Sequence, residues 1–276
     1  MRTFERNNQK LFEQICKLDQ DQLLQLETAF LYKYYKKVEA TNEYVFAEGD
    51  IPIALVAHLD TVFDKPPTEI YYDKEAGVMW SPQGLGADDR AGVFAIMNII
   101  MSGLRPHVIF TTDEEWGGIG ARWLIYDHPI QPFKELKYII ELDRANKNDA
   151  CFYDCLTQDF IDYIEKETGF IETKGLYSDI SELCPSWEIP GVNLSIGYVG
   201  EHLETERLFV PSMLKTIGVV KELLKKKSPD FKWECNPYLI EYFKNRQLIP
   251  SSYMDDFYLE EITGVQINGE GCGSEN

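Results

Sequence analysis

Positive charge, histidine and paired cysteine are all scarce in this chain of 276 residues. Lysine and arginine number 27 against 46 acids, a formal net charge of −19. So acidic a surface repels phosphate backbones and anionic headgroups, which argues against nucleic acid and membrane surfaces as partners. The six cysteines (Cys16, Cys151, Cys155, Cys184, Cys235, Cys272) are scattered, with no C-x-x-C pair. That spacing speaks against a thiolate zinc site and for free thiols in a reducing compartment. No stretch approaches the ~20 apolar residues of a membrane span. The opening segment, MRTFERNNQKLFEQICKLDQ, lacks the apolar run of a secretory signal. The expectation is a soluble, cytoplasmic protein.

What is present is a large apolar reservoir, 44% of the residues, enough for a sizeable core. Residues 8–37 read as two amphipathic helices, one stripe carrying Leu11, Phe12, Ile15 and Leu18 and the other Leu23, Leu26, Phe30, Leu31 and Tyr34. A short continuous apolar run at 52–58 suits a buried strand, 107–112 and 138–142 read as two further strands of buried type, and 192–196 is another strand candidate. A further short strand is expected at 152–154, and a hairpin over 69–81 with its turn near Gly77. Helical spacing over 90–102, 156–168 and 211–227 alternates with these strands. The pattern predicts an α/β fold of three layers, a mostly parallel mixed sheet with helices on both faces. The expected division is a catalytic domain over 1–228 and an aromatic-rich extension over 229–276 that ends in the small, polar NGEGCGSEN.

Several of the strands end in groups that bind metals, and in open sheets sites form beyond the carboxyl ends of parallel strands. The first run closes on His58, with Asp60 two residues on; an imidazole ligand usually gives its second nitrogen to such a carboxylate. Asp88 and Asp89 open a buried helix after Gly84 and Gly86, where one acid is explained by capping and two less well. Asp113, Glu114 and Glu115 follow the second run, Asp143 ends the third, and His202 follows a glycine-bounded strand. Each alone has a plain structural explanation, such as a solvated charge run or a buried histidine. Taken together, two histidines and three carboxylates without a thiolate suit zinc, cobalt or manganese. The other histidines, His107 and His128, lie outside these segments and read as structural.

In their order, AHLDTV, GADDRAG, DEEWGGIGA, ELDRAN and GEHLETE make residues 52–206 resemble the co-catalytic di-zinc exopeptidases, which include bacterial leucyl and tripeptide aminopeptidases. The resemblance implies that His58 and Asp143 hold one ion, Glu115 and His202 the other, and that Asp88 bridges them across a cis Asp88–Asp89 peptide. It further implies Glu114 as general base and Asp60 as the carboxylate behind the histidine, the two counted together as the catalytic pair. Only 58 residues (144–201) separate Asp143 from His202, and 29 (59–87) separate His58 from Asp88. The inserted domains of some relatives do not fit there, so the resemblance is to a compact, insert-free branch. Ser178 and Asp179, in the segment YSDISEL, resemble a substrate-side loop, with a helix cap as the competing explanation.

The expected activity is therefore amide-bond hydrolysis by an exopeptidase of aminopeptidase type, with two divalent ions, zinc first, as cofactors and a peptide as substrate. An N-acyl amino acid deacylase or a carboxypeptidase would use the same metals. A catalytically silent metal-binding relative is the non-enzymatic alternative, against which the intact Glu114 counts. Oligomeric state is left open.

Overall fold

A computed structural model describes Phe4 and residues 6–234. Helices α1 (Arg6–Cys16) and α2 (Gln20–Tyr34) come first. Asp19 caps α2, accepting the Gln22 N–H at 2.8 Å while the Gln22 side chain returns a bond to the Asp19 backbone. Then follow β1 (Lys37–Ala40), β2 (Tyr44–Glu48), β3 (Ile51–His58), β4 (Tyr71–Asp73), β5 (Val78–Trp80), α3 (Ala87–Met101), β6 (Pro106–Thr111), α4 (Ile119–Asp127) and β7 (Tyr138–Arg144). The described chain continues through β8 (Asp149–Cys151), α5 (Gln158–Thr168), β9 (Ile171–Thr173), α6 (Asp179–Trp187), β10 (Gly191–Ser195), β11 (Tyr198–Val199), β12 (Arg207–Phe209) and α7 (Val210–Leu224).

Eight strands form one mixed sheet in the order β1-β2-β6-β3-β7-β10-β8-β9. Its centre, β6-β3-β7-β10, is parallel throughout. The expected apolar runs are these central strands, and the reason is visible in β3. Ile53, Leu55 and Ala57 join the core on the face covered by α1, α3 and α7, while Ala54 and Val56 join the core under α4 and α6. A strand buried on both sides has no polar face to show. A small antiparallel sheet, β11-β12-β5-β4, contains the expected hairpin.

Some elements were illegible in the sequence. The edge hairpin β1–β2 went unread because β1 is mostly exposed and polar, so no alternation marks it. Helices α4 and α6 are nine residues each, one opened by Gly117 and Gly118 and the other interrupted by Pro185, features that mimic turns. The short strand expected at 152–154 lies at 149–151, where it pairs with β10 and β9; within α3, Asp88 and Asp89 have non-helical backbone, so its regular part starts where the expected helix does, at Arg90. The aromatic segment meets the body at its start: Phe231 packs against Tyr138, Phe160 and Tyr163, and its residues 235–276 lie outside the described residues. No described helix is long and apolar enough to cross a membrane, and the four described cysteines are free and buried.

Candidate metal centre

Register decides what meets at the carboxyl end of the sheet. His58, the last residue of β3, pairs in register with Thr111, the last of β6, so the loop Thr112–Glu115 begins level with the imidazole. On the other side, Val56 of β3 pairs with Glu141 of β7, which carries Asp143 two residues further on. Asp88 arrives at the start of α3, where the Asp88–Asp89 peptide is cis as the resemblance implied. Gly92, one turn on, is required by packing: a Cβ there would lie 2.4 Å from the Leu142 carbonyl and from the Asp89 carboxylate. His202 stands on the loop between β11 and β12 with a φ of 63°, a left-handed backbone uncommon for a residue other than glycine.

The five expected ligands converge. The His58 Nε2 lies 3.1 Å from Asp88 Oδ1 and 3.4 Å from Asp143 Oδ1. The His202 Nε2 lies 3.0 Å from Glu115 Oε2 and 3.5 Å from Asp88 Oδ2. Asp88 thus turns one oxygen to each histidine. Donor atoms of His58, Asp88 and Asp143 lie within 4.8 Å of one another, as do those of Asp88, Glu115 and His202, and those of His58, Glu114 and Glu115.

Asp60 does more than the sequence suggested. Its Oδ1 faces His58 Nδ1 at 3.1 Å, and its two oxygens also accept the N–H groups of Glu114 and Glu115, each at 3.0 Å. One carboxylate therefore orients the histidine and the loop of the expected base together. Burial opposes its charge, but His58 and the backbone donors outweigh that and hold its carboxyl below the ordinary value.

Ser178 and Asp179, for which a substrate-side loop was one of two expectations, are 1% and 0% exposed. Ser178 caps α6, the competing explanation for it. Its hydroxyl contacts both Glu141 Oε2 and, at 3.0 Å, Asp143 Oδ2. Burial pushes the Glu141 carboxyl well above the ordinary range. Asp179 accepts from Thr111 Oγ1 and is pushed up to about 7 by burial. Tyr198 donates to the Asp143 carbonyl at 2.6 Å, and the Asn193 side-chain oxygen accepts the Asp143 N–H at 3.0 Å. Sequence reasoning missed Glu141, Asn193 and Tyr198 because only the tertiary fold places them around Asp143. It also missed Glu206, fully buried four residues after His202, whose carboxylate accepts two backbone N–H groups at the start of α3; its presence in GEHLETE was the available signal.

The electrostatics are those of acids forced together. Burial and then Asp88 push Glu115 up to about 7 and Asp143 up to about 6. Burial alone would lower His58, yet Asp143 and Asp60 raise it well above its ordinary value. His202 is raised to about 9, first by its hydrogen bond to Asp88.

The architecture is one known from peptidases, although no family model matches the chain and no curated protein does. Among solved structures, aminopeptidase PepT from Bacillus cereus matches with a TM-score of 0.61 at 14% identity, covering 79% of this chain and 98% of that one. A tripeptidase from Staphylococcus aureus matches at 0.62 and 12%, covering 79% and 98%. A Zn-dependent exopeptidase from Parabacteroides distasonis matches at 0.56 and 12%, covering 82% and 99%. The likeness is one of fold: the three-layer α/β/α architecture of these exopeptidases.

Proposed function

We propose that this chain is a metal-dependent hydrolase of amide bonds, most closely an aminopeptidase-type exopeptidase, with residues 1–228 as its catalytic part. The observation that carries the reading is Asp88, whose two oxygens face two histidines, with Asp143 beside one and Glu115 beside the other. The donor set fits two divalent cations, zinc first and cobalt or manganese as alternatives. Glu115 Oε1 supports that fit, being buried without a hydrogen-bond partner among the described residues. His58, Asp88 and Asp143 would hold one ion, and Asp88, Glu115 and His202 the other. Bound there, the ions would supply compensating charge and Lewis acidity toward a carbonyl oxygen.

The chain's own groups supply the proton chemistry. Glu114 is held by Asp60 beside the ligands, and burial pushes its carboxyl well above the ordinary range. Such an acid takes a proton from the attacking water on a carboxylate oxygen and delivers it to the leaving nitrogen. Between Asp143 and His202 the chain forms β8, α5, β9, α6, β10 and β11, with no separate domain, which favours the compact branch. The fold neighbours described as aminopeptidase, tripeptidase and Zn-dependent exopeptidase support the same reading.

The test is elemental analysis of the purified protein alongside a panel of aminoacyl anilides, dipeptides and N-acetyl amino acids. Two ions per chain with turnover of the anilides is the expected result. Turnover confined to N-acetyl substrates would move the assignment to a deacylase. Two ions with no turnover anywhere would leave a silent metal-binding protein.

A further inference from the structure

The two histidines of the centre are secured differently. His58 is fully buried and its Nδ1 is occupied by Asp60. The side chain of His202 is 55% exposed, and no hydrogen bond reaches its Nδ1 among the described residues. Its place is therefore set by its loop, which runs from Gly200 to Glu206 and closes with Leu203 N–H to Gly200 O at 3.3 Å and Glu206 N–H to Leu203 O at 2.9 Å. That loop belongs to the hairpin β11–β12 of the small sheet, whereas His58 and Asp143 belong to the large one.

Glu206 links the two. Its Oε2 accepts the Ala87 N–H at 2.8 Å and its Oε1 accepts the Asp88 N–H at 3.2 Å. These donors lie in the turn that leads into α3: Asp88 and Asp89 have non-helical backbone, and the regular helix starts beyond them, where Asp89 Oδ1 accepts the Gly92 N–H at 3.0 Å. A carboxylate from a distant hairpin binds the backbone of that turn. In doing so it joins the loop of His202 to the backbone of Asp88.

We infer that Glu206 is the positioning residue for the Asp88–His202 pair, and that its clasp selectively sets the affinity of the outer cation position formed with Glu115. The inference rests on the di-metal reading above. The inner position keeps its own supports, Asp60 behind His58 and Ser178, Asn193 and Tyr198 around Asp143. Of these the outer position shares only Asp60, which accepts the Glu115 N–H at 3.0 Å.

Glu206→Gln tests this, because the amide keeps the shape but turns an NH₂ toward one of the two N–H donors. Binding of zinc and cobalt is measured by competition with a chromophoric chelator, and the melting temperature of the metal-free protein is followed in parallel. One of the two ions is expected to weaken by about 10–100-fold while the other is retained. Glu201→Gln removes the same charge beside His202 without touching α3, and is expected to leave both ions in place. Unchanged binding in Glu206→Gln overturns the inference. So does equal loss of both ions, which would make Glu206 a fastener of the fold, and so does a matching loss in Glu201→Gln. If Glu206→Gln does not fold, Glu206→Asp, which keeps the charge but withdraws it by one methylene, is held to the same outcomes. A wild-type protein binding fewer than two ions would instead remove the di-metal reading before any variant is made.

Discussion

The inner and outer halves of the candidate metal centre have similar donors, a histidine and a carboxylate flanking Asp88, but they are built on different physics. His58 and Asp143 are 0% and 9% exposed and sit on adjacent parallel strands, so main-chain register places them. Glu115 and His202 come from loops, each near a residue with positive φ: Asp113 at 54° starts one loop, and His202 at 63° stands in the other. Burial holds the inner pair, and hydrogen bonds from distant carboxylates hold the loops of the outer pair. A site assembled this way has a rigid side and a side whose geometry can be adjusted by single residues.

The largest effect is expected where the two halves share one base. Glu114→Gln should lower kcat by about 10²–10⁴-fold, the usual worth of a general base, while both ions stay bound. Full turnover by that variant would remove Glu114 from the mechanism, and lost metal would make it a ligand.

The comparison itself is broken or kept by removing one histidine at a time from the metal-free protein. His58→Ala strands three acids, Asp60, Asp88 and Asp143, which share the buried imidazole, and should cost about 3–5 kcal/mol of stability. His202→Ala, at a half-exposed position, should change it by only about 0.5 kcal/mol. Equal costs in denaturant titrations would contradict the division into rigid and adjustable halves.

A smaller effect is expected in pH. In the metal-free protein Asp143 and Glu115 are raised to about 6 and 7 from 3.8 and 4.5. The folded state then keeps protons that the unfolded chain has released. The stability they contribute is complete below about pH 4 and declines as pH rises through 6 to 7. The raised His58 acts in the same direction. Melting curves of chelated protein should therefore fall across that window, and added zinc should flatten them. A metal-free profile that rises over the same range would show that the acids are not crowded as the distances indicate.

Much of this centre was legible beforehand because strand ends are legible. The run closing on His58 is apolar without interruption and the one closing on Asp143 is broken only by Glu141, and a polar group ending such a run has few structural reasons to be there. Asp88 and Glu115 were readable from their glycine-bounded acid clusters. For Ser178 and Asp179 the sequence left a substrate-side loop and a helix cap open, and the structure places Ser178 at the N-cap of α6 with both side chains buried. Glu141 was passed over inside an apolar strand; its contact with Ser178 spans 37 residues of sequence, a separation that local pattern does not encode.

By itself the sequence determined which segments are buried strands and which donor groups stand at their ends, since burial and periodicity are local consequences of residue type. Only the tertiary structure decided that Asp88 would turn one oxygen to each histidine, that Asp60 would hold the loop of Glu114, and that Glu206 would bind the backbone of the turn before α3, 119 residues earlier in the chain. Those are agreements of distance and direction between remote backbones, and they exist only once the sheet register and the small hairpin have been set.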